Sequence, residues 1–147
     1  MLNLVRNNRQ NYLETIISSL NDYSYRNKRY QIDFAIAIGL CEESVDFSEF
    51  IKNKRKTDEL ILLEDNLCCA IFDCAPAESA IKATSNMLSE FQNKNSNKQI
   101  YVSVVNSRDY DSDKIMLNSL FDILEYSVDN DIYGVVTNRE QIETSNT

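Results

Sequence analysis

Between Arg55 and Asp73 the chain reads RKTDELILLEDNLCCAIFD: two short apolar runs, Leu60–Leu63 and Leu67–Phe72, interrupted by Glu64, Asp65 and Asn66. Acidic and amide side chains of this kind bond the nearby backbone and favour tight turns, so two apolar runs joined by them predict a β-hairpin. Upstream, Ile32–Leu40 (IDFAIAIGL) is nearly continuously apolar and rich in isoleucine, which predicts a central strand covered on both faces. A charged cluster, Lys52–Asp58, leads into the hairpin, and Pro76 follows it where a first helical turn tolerates proline. A sheet built on these strands, with helices packed against it, is what the rest of the chain must complete.

Helical spacing from Tyr12 onward (Tyr12, Leu13, Ile16, Ile17, Leu20) predicts an N-terminal helix over 1–22. Asn21–Gln31 is polar, carries turn formers and reads as a connector holding Tyr23, Tyr25 and Tyr30. A short helix is expected over Phe47–Lys56, with Phe47, Phe50 and Ile51 on one face, and a longer one from Ala77 through Ile81, Met87, Leu88 and Phe91. Gln99–Asn106 is β-branched and aromatic and predicts a strand. A further helix, N-capped at Asp111 or Ser112, is marked by Ile115, Met116, Leu120, Phe121, Leu124 and Val128. Ile132–Thr137 is expected to be the last strand, and the polar tail 138–147 to fray. The fold class is therefore α+β, an α/β sandwich: a ferredoxin-like βαββαβ core over 31–137 with an additional helix and strand, a mixed, mostly antiparallel sheet, helices over one face, and all 147 residues in one domain.

Composition removes several functions. The chain contains no histidine, the commonest general base near neutral pH and the commonest metal ligand, so histidine-based triads and zinc sites are excluded. A formal net charge of −8 opposes general binding of nucleic acid or anionic membranes, although Lys52, Lys54, Arg55 and Lys56 form a local basic patch. Cys41, Cys68, Cys69 and Cys74 show no CxxC spacing and are expected to be small buried hydrophobes in a reducing compartment, with no metal and no cofactor. No apolar run approaches the ~20 residues of a membrane span, and the first ten residues lack the apolar core of a signal peptide. The expected localisation is cytoplasmic.

With these elements in place, the sequence resembles the GGDEF family, the diguanylate cyclase domains of the nucleotide-cyclase palm fold. Asn8, Arg9, Tyr12, Leu13 and Glu14 are similar to the NRRxFLE start of that family's leading helix. Arg55 and Asp58 match its RxxD, and Glu64, Asp65, Asn66, Leu67 and Cys68 then stand at the signature position. Ser103 falls where the family has the serine of its SIG strand, and Asp122 with Tyr126 fit the ADxALYxAK helix.

The resemblance implies condensation of two GTP molecules into cyclic di-GMP, with metal ions held by carboxylates at the end of the first body strand and at the signature turn. This chain departs from that chemistry. Its first strand ends Ala37-Ile38-Gly39-Leu40-Cys41 without an acid, and only Cys41–Lys54 separates it from Arg55, too short for the family's next metal and guanine contacts. Glu64 and Asp65 replace the glycines that let a nucleotide approach the backbone, and Asn66 and Leu67 replace the acidic pair. The lysine of the family's AK motif is replaced by Asp129.

The expectation is a catalytically inactive, regulatory GGDEF-like domain of bacterial signalling that acts by protein interaction or dimerisation, its partner another protein or a second copy. The alternative is a cyclic di-GMP receptor: Arg55 forks to a phosphate or a guanine edge, and Asp58 accepts from guanine N1 and N2. A purely structural Arg55–Asp58 pair at the foot of the hairpin is the other reading of those two residues.

Overall fold

The computed structural model describes residues 2–48 and 55–145. A five-stranded sheet forms its centre, built from β1 (Ala35–Cys41), β2 (Glu59–Glu64), β3 (Leu67–Phe72), β4 (Ile100–Asn106) and β5 (Val136–Thr137), in the order β2-β3-β1-β4-β5. The first four strands run antiparallel to their neighbours and β5 joins β4 in parallel, the expected mixed, mostly antiparallel sheet. β1 is central, with Ile38 opposite Cys69 on one side and Ser103 on the other, and every residue of β1 is buried. The hairpin turns at Asp65 and Asn66 as its composition demands, with an irregularity between Leu62 and Glu64 on β2, the edge strand.

Helices cover both faces rather than one. The first face buries Phe34, Ile36, Ile38, Leu40, Cys69 and Ile71 beneath α1 (Leu2–Ser18), α2 (Asn21–Tyr30) and α4 (Asp113–Asp129). The second buries Ala35, Ala37, Cys68, Phe72 and Val102 beneath α3 (Ala77–Lys94), whose Met87, Leu88 and Phe91 point inward. Alternation along a strand decides the division: adjacent Cys68 and Cys69 enter opposite cores, and both sides of the sheet carry enough apolar surface to need a cover.

Four local expectations change. The stretch read as a connector is helix α2, so the N-terminal helix expected over 1–22 is two helices with a break at Ser19–Leu20. Only Tyr23 and Ser24 of α2 are buried, too narrow a stripe to register as periodicity. The last strand shrinks from Ile132–Thr137 to Val136–Thr137, and the tail continues as α5 (Arg139–Ser145), started by a reciprocal Asn138–Gln141 cap. Cys74 is exposed, at φ 48, whereas Cys41, Cys68 and Cys69 are buried. The helix expected over Phe47–Lys56 falls largely outside the described residues, as do Lys52 and Lys54 of the basic patch; Phe47 itself is buried and stacks on Phe91 at 6.1 Å. Ser112 is the N-cap of α4, accepting from the Ile115 N–H at 3.1 Å.

Candidate functional site

Arg55 and Asp58 stand in a tight turn before β2, closed by the Asp58 N–H donating to the Arg55 carbonyl at 3.0 Å. The Asp58 carboxylate is 4% exposed. It accepts from the Arg55 N–H at 2.9 Å, from Arg55 Nε and Nη2 at 3.2 Å each, and from the Asp73 N–H at 2.8 Å. Arg55 also donates to the Asp73 carbonyl. Beside Asp58 the guanidinium is pushed above its ordinary pKa, chiefly through that hydrogen bond, and stays protonated.

Sequence reading missed the residues that surround this pair. Arg26 of α2 donates to Asp73 Oδ1 at 2.9 Å and lies 5.1 Å from the centre of the Tyr23 ring. The Tyr23 hydroxyl donates to the Thr57 carbonyl at 2.9 Å. Burial, then the charges of Glu59, Asp73 and Asp58, push this phenol up to about 12. Tyr23 and Arg26 share a helix face by their three-residue spacing, a signal that becomes visible only once Asn21–Tyr30 is known to be helical. Arg55 is nevertheless 56% exposed and borders a 290 Å³ cavity shared with Asp58, Cys74, Ser79, Ala83 and Met87.

At the far end of the hairpin the signature positions serve as ties. Glu64 accepts from the Tyr12 hydroxyl of α1 at 2.9 Å, and burial together with Glu64 raises that phenol to about 12. Asn66 donates through Nδ2 to the Cys41 carbonyl at 2.8 Å, its own carbonyl accepts from the Cys41 N–H at 2.9 Å, and the Asp65 carbonyl accepts from Val45 at 3.2 Å. Leu67 and Cys68 enter opposite cores. A 680 Å³ cavity opens beside this turn, and its charged lining residues are Asp46, Glu64 and Asp65. Among the described residues no three His, Cys, Asp or Glu side chains are grouped to hold a metal ion.

The remaining motif residues hold α1 on α4. Arg9 reaches Asp122 at 2.8 Å and Glu125 at 3.1 Å, while Arg6 reaches Glu125 at 3.0 Å and Asp129 at 3.4 Å. Ser103 is fully buried and donates to the Leu120 carbonyl at 3.1 Å, joining β4 to α4. Of the predicted site residues, then, the structure brings Arg55 and Asp58 together at one end of the hairpin and leaves Glu64–Cys68 at the other.

Strand order and the hairpin with its turn define an α+β domain, a five-stranded, mostly antiparallel sheet with helices on both faces. No protein-family model matches the sequence, and no curated protein does. Solved structures do. The GGDEF domain of DgcB from Caulobacter crescentus, in complex with c-di-GMP, is similar at a TM-score of 0.71 and 10% identity over 86% of this chain and 90% of that one. The GGDEF domain of YfiN (TpbB) from Pseudomonas aeruginosa matches at 0.70 and 9% over 85% and 93%. The active GGEEF domain of a diguanylate cyclase from Vibrio cholerae matches at 0.64 and 9% over 82% and 92%. The chain has the GGDEF-domain fold. No described helix is long and apolar enough to cross a membrane.

Proposed function

We propose that this chain is a non-catalytic GGDEF-fold domain of cyclic di-GMP signalling that works by contact with another protein or a second copy of itself. One observation carries the reading: the cavity beside the signature turn presents Asp46, Glu64 and Asp65 and no described cation. A triphosphate there would meet like charge. Phosphoryl transfer depends on cations gathered around its phosphates, and at the position of the family's lysine Asp129 is engaged with Arg6. Incubation with GTP and magnesium is expected to yield no cyclic di-GMP and no pyrophosphate; magnesium-dependent turnover would refute the proposal.

The contact surface on this reading is the outer face of α2. Tyr25 and Tyr30 are 58% and 57% exposed and pack edge to face at 6.4 Å, with Arg29 over the Tyr30 ring. Aromatic and arginine side chains are the types enriched in interfaces. Sedimentation is expected to show a concentration-dependent dimer, or a complex with a partner, that Tyr25→Ala/Tyr30→Ala abolishes.

A second reading rests on a separate observation, the exposed Arg55 guanidinium beside its 290 Å³ cavity. On it the domain is a cyclic di-GMP receptor in which Asp58, engaged internally, orients Arg55 instead of gripping guanine itself. Calorimetry with cyclic di-GMP then gives a saturable isotherm that Arg55→Ala removes, and no heat at high micromolar ligand sinks it.

A further inference from the structure

Two surfaces of opposite charge lie at opposite ends of the hairpin. The Tyr23 hydroxyl on Thr57 and Arg26 on Asp73 fix α2 at the foot, and the six residues of β2 rise about 20 Å from there to the turn. In a chain of net charge −8, α2 carries Arg26, Lys28 and Arg29 against Asp22 alone. Its Tyr25, Lys28, Arg29 and Tyr30 are all exposed. Lys28 and Arg29 have no ion-pair partner among the described residues, and the Tyr30 ring beside Arg29 leaves its charge uncompensated.

The 680 Å³ cavity at the tip is the complement of that face. Val45, Leu62 and Leu63 give it apolar walls, and Leu62 is 60% exposed. Glu64 accepts only from a neutral group, the Tyr12 hydroxyl, and neither Glu64 nor Asp65 is paired with a cation among the described residues. A symmetric contact joins each surface to its own copy: two α2 faces set Lys28 and Arg29 against cations, and two tips set carboxylate against carboxylate. Joining unlike surfaces brings opposite charges together.

We propose that one copy of this chain docks the outer face of α2 into the hairpin-tip cavity of the next, a head-to-tail contact. It rests on the reading of the domain as a contact module that takes a second copy. Lys28 and Arg29 meet Glu64 and Asp65, while Tyr25 and Tyr30 cover Leu62 and Val45. Since the two surfaces of each copy stand at opposite ends of its hairpin, the contact repeats into chains or rings instead of closing as a dimer.

Sedimentation of the full chain tests this, with one variant for each surface: Lys28→Glu/Arg29→Glu on α2 and Leu62→Ser/Asp65→Lys at the tip. The unaltered chain is expected to associate beyond a dimer as its concentration rises, about tenfold more weakly when salt is raised from about 0.05 M to about 0.5 M. Each variant alone is expected to stay monomeric with unchanged circular dichroism. Mixed, the two are expected to form a one-to-one complex that grows no further, since each retains the surface the other lacks. An unaltered chain that remains monomeric at about 1 mM, a variant that still associates alone, or a mixture that stays monomeric would each overturn the head-to-tail contact. The last of these marks a symmetric interface, and each of the three leaves the non-catalytic reading to stand or fall on the GTP assay.

Discussion

Asp58→Ala isolates what the RxxD pair does for the fold. The substitution removes the acceptor for four donors: the Arg55 N–H, Arg55 Nε and Nη2, and the Asp73 N–H. These losses are unequal. The bond from the Asp73 N–H is buried, and a buried donor without a partner costs about 1–3 kcal/mol. The Arg55 guanidinium, 56% exposed, turns to water, so losing that pair costs only about 0–1 kcal/mol. With about 1 kcal/mol for the part-buried bond from the Arg55 N–H, the sum is roughly 2–5 kcal/mol, a large part of the ~5–15 kcal/mol that holds a domain folded, and equivalent to a fall of roughly 10 °C in Tm for a chain of this size.

Arg55→Ala removes the other half and should cost less, about 1–2 kcal/mol, because the buried carboxylate keeps the N–H donors of Arg55 and Asp73. Asp58→Asn is expected to fall between them, since it retains one acceptor oxygen and turns an amide toward donors. Urea unfolding with a common m-value measures all three. If Asp58→Ala changes stability by less than about 0.5 kcal/mol, the ordinary range for surface substitutions, or if Arg55→Ala costs more, the turn is not the structural unit described. Cyclic di-GMP calorimetry on the same variants separates folding from binding.

Three other outcomes follow from the geometry. Tyr12 and Tyr23 both have phenols raised to about 12, by burial first and then by neighbouring carboxylates, so folding favours their neutral forms. Their contribution to stability is complete below the unfolded value near 10 and is lost as pH rises from there toward 12; burial raises Tyr101 as well, so an absorbance titration should show three of the eight tyrosines ionising late, with Tyr12→Phe removing one late step. Ser103→Ala removes the bond to the Leu120 carbonyl, which keeps its place in the helix ladder, at a cost of about 0.5–1.5 kcal/mol in thermal or urea unfolding. Of the four thiols only Cys74 is exposed, while burial pushes Cys41 up to about 12 and raises Cys68 and Cys69; a thiol reagent should therefore label Cys74 alone in the native protein and all four in denaturant.

The parts of the fold that could be read from the sequence are those in which each residue's own chemistry sets its conformation. Continuous apolar runs and turn chemistry located β1 and both hairpin strands within a few residues, because Glu64, Asp65 and Asn66 leave the chain little choice but to reverse. Helix α2 was hidden for the opposite reason. Its polar sequence is held by tertiary contacts at Tyr23, Ser24 and Arg26, and none of those partners lies nearby in the chain. The same holds for the site: the spacing of Arg55 and Asp58 was visible, whereas Asp73 and Arg26, which complete their surroundings, arrive from β3 and α2.

What these ties are worth bears on the proposed loss of catalysis. Arg6 and Asp129 are each about half exposed, and such a pair stabilises by about 1 kcal/mol at most. Stability therefore does not explain an aspartate at that position. On the proposed reading the aspartate acts on a ligand: two unlike charges in water at close range interact by about 1 kcal/mol, and several-fold more where partial burial lowers the effective dielectric, so an aspartate where the resemblance puts a lysine would turn an attraction to a triphosphate into a repulsion of the same order. Restoring the cation tests this. Asp129→Lys should cost about 1 kcal/mol at most, since it breaks the exposed pair with Arg6 and sets two cations side by side in water. It should still produce no turnover of GTP, because Glu64 and Asp65 remain where the family's glycines would stand and Asp46, Glu64 and Asp65 still line the cavity. Cyclase activity from that single change would mean that the signature turn, with its side chains and its carboxylates, tolerates a nucleotide, and that the electrostatic argument at the hairpin tip is wrong.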